Sequence, residues 1–232
     1  MVNKKIGLII GAGSGLSASL ARKFSREGMR IALAARDANK LSNLISEIDA
    51  VAYCCDTSDP NSVRDLFSSI HADIGDPEVV IFNASKRVRG EITEVDVDEV
   101  RDAILTTCYG GFLVGQEASK IMLKSGQGTI MFTGASAGVK GFAKSATFAM
   151  GKFGLRGLAQ SMARELHPQN IHVVHVVVDG GIRSEEKSYS SVQTEDNFLL
   201  PDAIADTYYH LYKQHRSAWA WEIEVRPWVE KF

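Results

Sequence analysis

Short runs of β-branched and aliphatic residues alternate along almost the whole chain with longer stretches in which apolar positions recur at helical spacing. The runs cover residues 5–10, 30–35, 51–55, 79–83, 129–133, 171–178 and 218–225. They are short and nearly continuous in apolar character, which suits strands buried on both faces of a parallel sheet. Between them Leu41, Leu44, Ile45 and Ile48 fall on one helical face, and Asp59-Pro60 supplies a helix N-cap followed by proline at the first helical position. Seven strands alternating with at least six helices predict an α/β fold: a doubly wound, seven-stranded parallel sheet with helices on both faces. No repeat, low-complexity tract or linker interrupts the pattern, so residues 1–232 read as a single domain. The polar stretch 184–200 is the one long connection without a clear element, and it is expected to be a flexible loop on the substrate side.

The first strand is followed by Gly11-Ala12-Gly13-Ser14-Gly15-Leu16-Ser17 and then by a helical stretch. A glycine-rich turn between strand and helix lets backbone N–H groups approach a pyrophosphate, and the helix N-terminus favours its charge. Read as G-x-G-x-x-G the motif fails at Leu16; read as G-x-x-x-G-x-G it fails at Ser17. The end of the second strand bears on which dinucleotide fits, since an acid there accepts from a ribose 2′-OH and an arginine accommodates a 2′-phosphate. Ala35 holds the acid's place and Arg36 follows it, which favours NADP(H) over NAD. Asp37 is expected to be engaged as the N-cap of the next helix.

Composition narrows the partners. With 26 Lys+Arg against 28 Asp+Glu the net charge is −2, and there is no basic excess to neutralise a nucleic-acid backbone. No apolar stretch approaches the roughly 20 residues that span a bilayer, and the opening Met-Val-Asn-Lys-Lys leads into a short apolar run without a cleavage-site pattern. The three cysteines are odd in number, and Cys54 and Cys55 are adjacent and so point to opposite faces of a strand. A cytoplasmic protein acting on a small molecule, with neither nucleic acid nor membrane as partner, is the expectation.

Further motifs sit at the ends of later strands: Asp56-Thr57 after the third, Asn83-Ala84-Ser85 after the fourth, and Asp179-Gly180-Gly181-Ile182-Arg183-Ser184 after the sixth. Together with the glycine turn, over residues 4 to about 228, they make the chain resemble the short-chain dehydrogenases/reductases. That is a single-domain Rossmann family transferring hydride between NAD(P) and a carbonyl or alcohol. The resemblance implies a cofactor held by Gly11, Gly13, Ser14, Gly15 and Leu16 at the first turn, and by Arg36, Asp56 and Thr57 at the adenosine end. Asn83, Ala84, Lys152, Gly180, Ile182 and Ser184 are implied toward the nicotinamide. Departures from the family pattern are Ser85 for a glycine, Asp179 for a proline and Ser184 for a threonine.

The family's catalytic group is a Tyr and a Lys four residues apart, a Ser thirteen residues before the Tyr, and an Asn on the preceding long helix. Lys152 stands in the Lys position, while Phe148, Ala135 and Thr107 occupy the other three. In the resembled enzymes the Tyr hydroxyl, its pKa lowered from about 10 by the Lys, moves the proton, and the Ser hydroxyl holds the substrate oxygen. A degenerate oxidoreductase with weak or absent turnover of ordinary carbonyl compounds is therefore expected. Ser136, Ser145, Thr147 and Tyr109 lie near these positions but off the required face, so none is a natural replacement, and a substitute donor would have to reach in from elsewhere, as Tyr109 or Tyr189 could. A non-catalytic, nucleotide-binding sensor or scaffold is the alternative.

Gly134-Ala135-Ser136-Ala137-Gly138 is a literal G-x-S-x-G followed in order by Asp179 and His210, as in α/β-hydrolases, yet residues 139–142 make a poor helix start. His172 and His175, three apart on a strand, should face opposite ways and bind no metal. The resemblance also implies a homodimer or homotetramer, with Gly110, Gly111, Gly115 and the stretch 153–162 as candidate contacts and Gly151, Gly154 and Gly157 as a ridge for close helix approach.

Overall fold

Ile6–Ile10, buried at every position, is the strand β1 of a parallel sheet in the computed structural model, which describes residues 4–184 and 195–230. Chain order continues with β2 (Arg30–Ala35), β3 (Val51–Cys54), β4 (Val79–Phe82), β5 (Gly128–Thr133), β6 (Ile171–Val178), β7 (Gly181–Ile182), β8 (Phe198–Leu199) and β9 (Glu222–Val225). Seven of these form one sheet in the order β3-β2-β1-β4-β5-β6-β9, every pair parallel. The order in which successive strands are added reverses between β1 and β4, so the carboxyl ends of these two strands open the crevice at which such sheets take ligands.

The helices are α1 (Leu16–Arg26), α2 (Ser42–Ile48), α3 (Pro60–Asp73), α4 (Val97–Ile104), α5 (Gly110–Ser125), α6 (Ala146–Leu166) and α7 (Pro201–Tyr212). Apolar residues of α3, α5 and α6 bury one sheet face, and those of α1, α2 and α7 bury the other. The anticipated caps form: Asp59 Oδ1 accepts from Asn61 N at 2.9 Å ahead of Pro60, and Asp37 Oδ1 accepts from Asn39 N at 3.1 Å. Such caps are worth about 1 kcal/mol each. Among the described residues no helix is long and apolar enough to cross a membrane, and no His/Cys/Asp/Glu group is arranged for a metal.

Three expectations need correction. The last strand begins at Glu222, not 218, because Arg216–Ala218 is a 3-10 turn and the next residues spend their donors locally: Trp219 Nε1 on Gln214 O and Ala220 N on Gln214 Oε1. A small second sheet, β7 with β8, brackets the expected substrate-side loop; residues 185–194 of that loop, and Tyr189 with them, lie outside the described residues. The glycines assigned to subunit contacts mostly serve packing within the chain. An added Cβ would stand 2.8 Å from Thr57 O at Gly110, 2.4 Å from Leu155 at Gly111, 2.9 Å from Met162 at Gly115, 3.1 Å from Thr107 at Gly151 and 2.5 Å from Cys108 at Gly154; only Gly157 of the set is open.

Candidate active site

At the crevice between β1 and β4, Gly11 has φ +80° and a Cβ there would lie 2.5 Å from Ala84 N, so no other residue fits without moving β4. Gly11 N and Ala12 N both donate to Ala34 O, which bends the turn over β2. Ser17, where one glycine template fails, has a structural use: its hydroxyl donates to Gly11 O at 2.9 Å and accepts from Asn83 Nδ2 at 2.7 Å. Leu16, where the other fails, is buried in the core, so only its backbone faces the turn. A Cβ at Gly13 or Gly15 would meet nothing within 4 Å among the described residues. The N-terminus of α1 carries no side-chain cap and no acid in its first turn.

Arg36 is exposed at the end of β2, near enough to Asp56 to help hold that carboxyl below the usual range; the larger cause is hydrogen bonding by the Ser58 hydroxyl and amide to Oδ1, at 2.7 and 2.9 Å. Thr57 is buried, and its hydroxyl donates to Thr106 O at 3.4 Å, leaving its backbone for any ligand. Gly180 (φ +154°) crosses Pro227 closely, Ile182 is half-buried in β7, and Ser184 is the last described residue before 195.

The four positions of the catalytic pattern converge on one region. Lys152, on α6, is 3% exposed and donates through Nζ to Thr133 O at 2.7 Å. The end of β5 is itself fixed by a 2.8 Å hydrogen bond between Thr133 Oγ1 and the fully buried Tyr208 hydroxyl. Burial pushes the Lys152 ammonium down to about 8. The Phe148 ring, one turn earlier, lies 5.8 Å from Lys152 Nζ, and the Arg87 guanidinium carbon lies 5.1 Å from the same ring. Thr107 sits in a π-helical turn, Leu105–Tyr109, packs on Gly151 and accepts from Lys86 N at 3.2 Å through Oγ1. Ala135 leads into the 3-10 turn Ser136–Gly138, which backs onto Lys152. The ring of Tyr109 stacks on Phe112 at 6.3 Å and is exposed, and the buried Ser145 hydroxyl has no hydrogen-bond partner among the described residues.

Neither the serine-hydrolase arrangement nor a histidine metal site assembles. No α-helix follows Ser136 directly, and His210 is exposed in the last turn of α7, whose Tyr212 reaches Lys5 and Glu78 before β1 and β4, at the opposite end of the parallel strands from Asp179. Asp179 is engaged by Lys140 at 3.3 Å and Arg226 at 3.0 Å. Its burial alone would raise the carboxyl, but hydrogen bonds from Ser136 and Lys140, with the charges of Lys140 and Arg226, outweigh it and hold it low. His172 stacks on Trp219 at 4.6 Å, whereas His175 turns the other way, to Glu222 at 2.9 Å. Arg87 and the Asp179 cluster escaped the sequence reading, although Lys86-Arg87-Val88-Arg89 was visible as a local cationic run.

Residues 5–192 match the family model described as short chain dehydrogenase. The chain belongs to the short-chain dehydrogenase family. A short-chain dehydrogenase structure from Rhodopseudomonas palustris is 35% identical, covers 98% of this chain and 100% of that one, and superposes with a TM-score of 0.84. A metagenomic short-chain oxidoreductase solved in complex with NADP is 26% identical over 97% of this chain and 98% of that one, with the same TM-score. The 3-oxoacyl-(acyl-carrier-protein) reductase FabG of Salmonella typhimurium is 27% identical over 183 residues, 78% of this short-chain dehydrogenase and 75% of the reductase.

Proposed function

We propose that the protein is an NADP(H)-binding oxidoreductase that keeps the cofactor half of its site and lacks the proton-donating half. The observation that carries this reading is Lys152: a buried ammonium held on Thr133 O beside a Phe148 ring that has no proton to give. The residues fit a dinucleotide. Gly13 and Gly15 are not required by internal packing, and close approach of an external group accounts for them. The uncapped N-terminus of α1 suits a pyrophosphate, and Arg36 suits a 2′-phosphate. Asp56 retains Oδ2 for an adenine amino group, since both Ser58 contacts use Oδ1. The NADP complex of the metagenomic relative supports the same choice.

When bound, a reduced nicotinamide supplies hydride to a carbonyl carbon, and the carbonyl oxygen then needs a proton. Phe148 cannot supply it, Ala135 has no hydroxyl to hold the oxygen, and Thr107 Oγ1 is engaged with Lys86 N. Positioned acid–base catalysis is worth roughly 10²- to 10⁴-fold, so ordinary ketones should be reduced at or near background. Assembly as a homodimer or homotetramer is part of the reading: Tyr109, Phe112, Met150 and Phe153 expose apolar surface on the π-helical turn, α5 and α6.

Titration with NADPH and NADH, followed by a turnover scan over ketones and aldehydes, tests the proposal. NADPH should bind about 10- to 150-fold more tightly, the worth of a charge-assisted hydrogen bond, and Arg36→Ala should erase the difference. Equal affinities in the unmodified protein would remove the case for Arg36, and brisk ketone reduction that survives loss of Lys152 would overturn the degenerate site.

A further inference from the structure

The loop after β4 carries three cations in four residues, Lys86, Arg87 and Arg89, and their surroundings differ. Lys86 Nζ is neutralised on α4 by Glu99 at 3.2 Å and Asp102 at 3.5 Å. The loop is tied by Gly90 N to Lys144 O, at 3.2 Å, to the segment that leads into α6. There too the lysines are paired: Lys144 with Glu91 at 2.6 Å and Lys140 with Asp179 at 3.3 Å. Among the described residues neither Arg87 nor Arg89 has a carboxylate in ion-pairing range. Arg87 instead stands over Phe148 at 5.1 Å, with the Lys152 ammonium 5.8 Å from the same ring.

Two cations on one ring, with Glu91, Glu99, Asp102 and Asp179 already paired with lysines, leave this place short of negative charge. The aromatic face compensates in part, since a cation over a ring gains about 0.5–2 kcal/mol. Partial burial pushes the Arg87 guanidinium down and the like charge of Arg89 adds to it; that second contribution is a field that favours an incoming anion. A guanidinium offers a fork of donors matched to two oxygens of one carboxylate or phosphate. We propose that Arg87 is the residue that receives an oxyanion of the substrate, making the substrate an anionic carbonyl compound, or its alcohol, whose carboxylate or phosphate is held over Phe148. The proposal rests on the reading of Phe148 and Lys152 as the reaction site. Arg87 sets specificity there, and it differs from the tied lysines around it in having no carboxylate partner among the described residues.

Malonate, dimethyl malonate and inorganic phosphate serve as probes in isothermal titrations of the full-length protein at constant ionic strength, with and without saturating NADP⁺. Malonate should bind saturably while its neutral ester does not, and phosphate reads whether any oxyanion serves. Arg87→Gln should weaken malonate roughly 10- to 150-fold, Arg87→Lys should give an intermediate loss, and Arg64→Gln, on the exposed face of α3, should leave binding unchanged. Thermal melts establish that each variant is folded. Malonate binding that is absent from the unmodified protein, or unchanged in a folded Arg87→Gln, overturns the proposal. Failure of NADP⁺ to bind, with the Arg87-dependent malonate site intact, overturns the cofactor reading alone.

Discussion

On the glycine-turn side of the crevice a chain of hydrogen bonds runs from Asn83 through Ser17 to Gly11, whereas on the Phe148 side the corresponding positions present a ring, a methyl group and a threonine already bonded to Lys86 N. The first side is made of backbone path and of groups that also hold β1, β4 and α1 together. Its loss would cost folding stability as well as binding. The second side depends on hydroxyl and amide tips that contribute little to the fold. Phe148 keeps the bulk that packs beside Lys152, and Ala135 keeps the turn into Ser136–Gly138, so both fit the fold without those polar groups. Cofactor geometry and proton transfer would thus be under different constraints, which is what the proposed reading of the site requires.

The hardest test of that separation is to restore the missing tips. Thr107→Asn, Ala135→Ser and Phe148→Tyr together should raise NADPH-dependent ketone reduction by roughly 10²- to 10⁴-fold, with Phe148→Tyr alone recovering only part, since catalytic groups acting as a unit are non-additive. Initial rates against a ketone panel provide the measurement. A triple variant that binds NADPH normally and stays inert would mean that the pocket has diverged beyond its tips, and would favour a sensor or scaffold.

Lys152 belongs to both sides, and its titration sharpens the comparison. Its folded pKa of about 8 lies below the ordinary lysine value of 10.5, so between these limits the unfolded chain holds a proton that the folded chain has released. Stability should therefore rise with pH across that window, by about 3 kcal/mol from this group. Denaturant melts of the cofactor-free protein and of Lys152→Met, compared from pH 7.5 to 10.5, isolate the contribution by difference. Equal slopes in the two proteins would show that the ammonium is not desolvated as its burial implies.

Much of the first side was legible in the sequence because it follows local rules: apolar runs, caps at Asp37 and Asp59, and glycines where strand meets helix. Lys152 was singled out by the resemblance to the short-chain dehydrogenases and by no local rule. What escaped depends on where side chains point once distant segments meet. Arg87 reaches Phe148 because the loop after β4 is pinned to Lys144 O, a contact across 54 residues that no periodicity encodes. The π-helical turn at Leu105–Tyr109 reads as continuous helix, since it contains neither proline nor glycine to mark a break. β7 and β8 are two residues each, below any recognisable period.

Ser17→Ala should have the smallest effect. It removes both the acceptor for Asn83 Nδ2 and the donor to Gly11 O while leaving α1 a good helix. A net hydrogen bond is worth about 1 kcal/mol, and Asn83 at the crevice can turn to water, so the expected loss in stability is about 1 kcal/mol, seen as a shift of a few degrees in Tm. NADPH affinity should fall in step, by about fivefold or less, because the tie that positions the turn is the tie that was cut. A lowered Tm with unchanged affinity would break the comparison at its root: the glycine turn would then hold its shape through Gly11 and Ala34 alone, and stability and cofactor binding would be separable on that side as well.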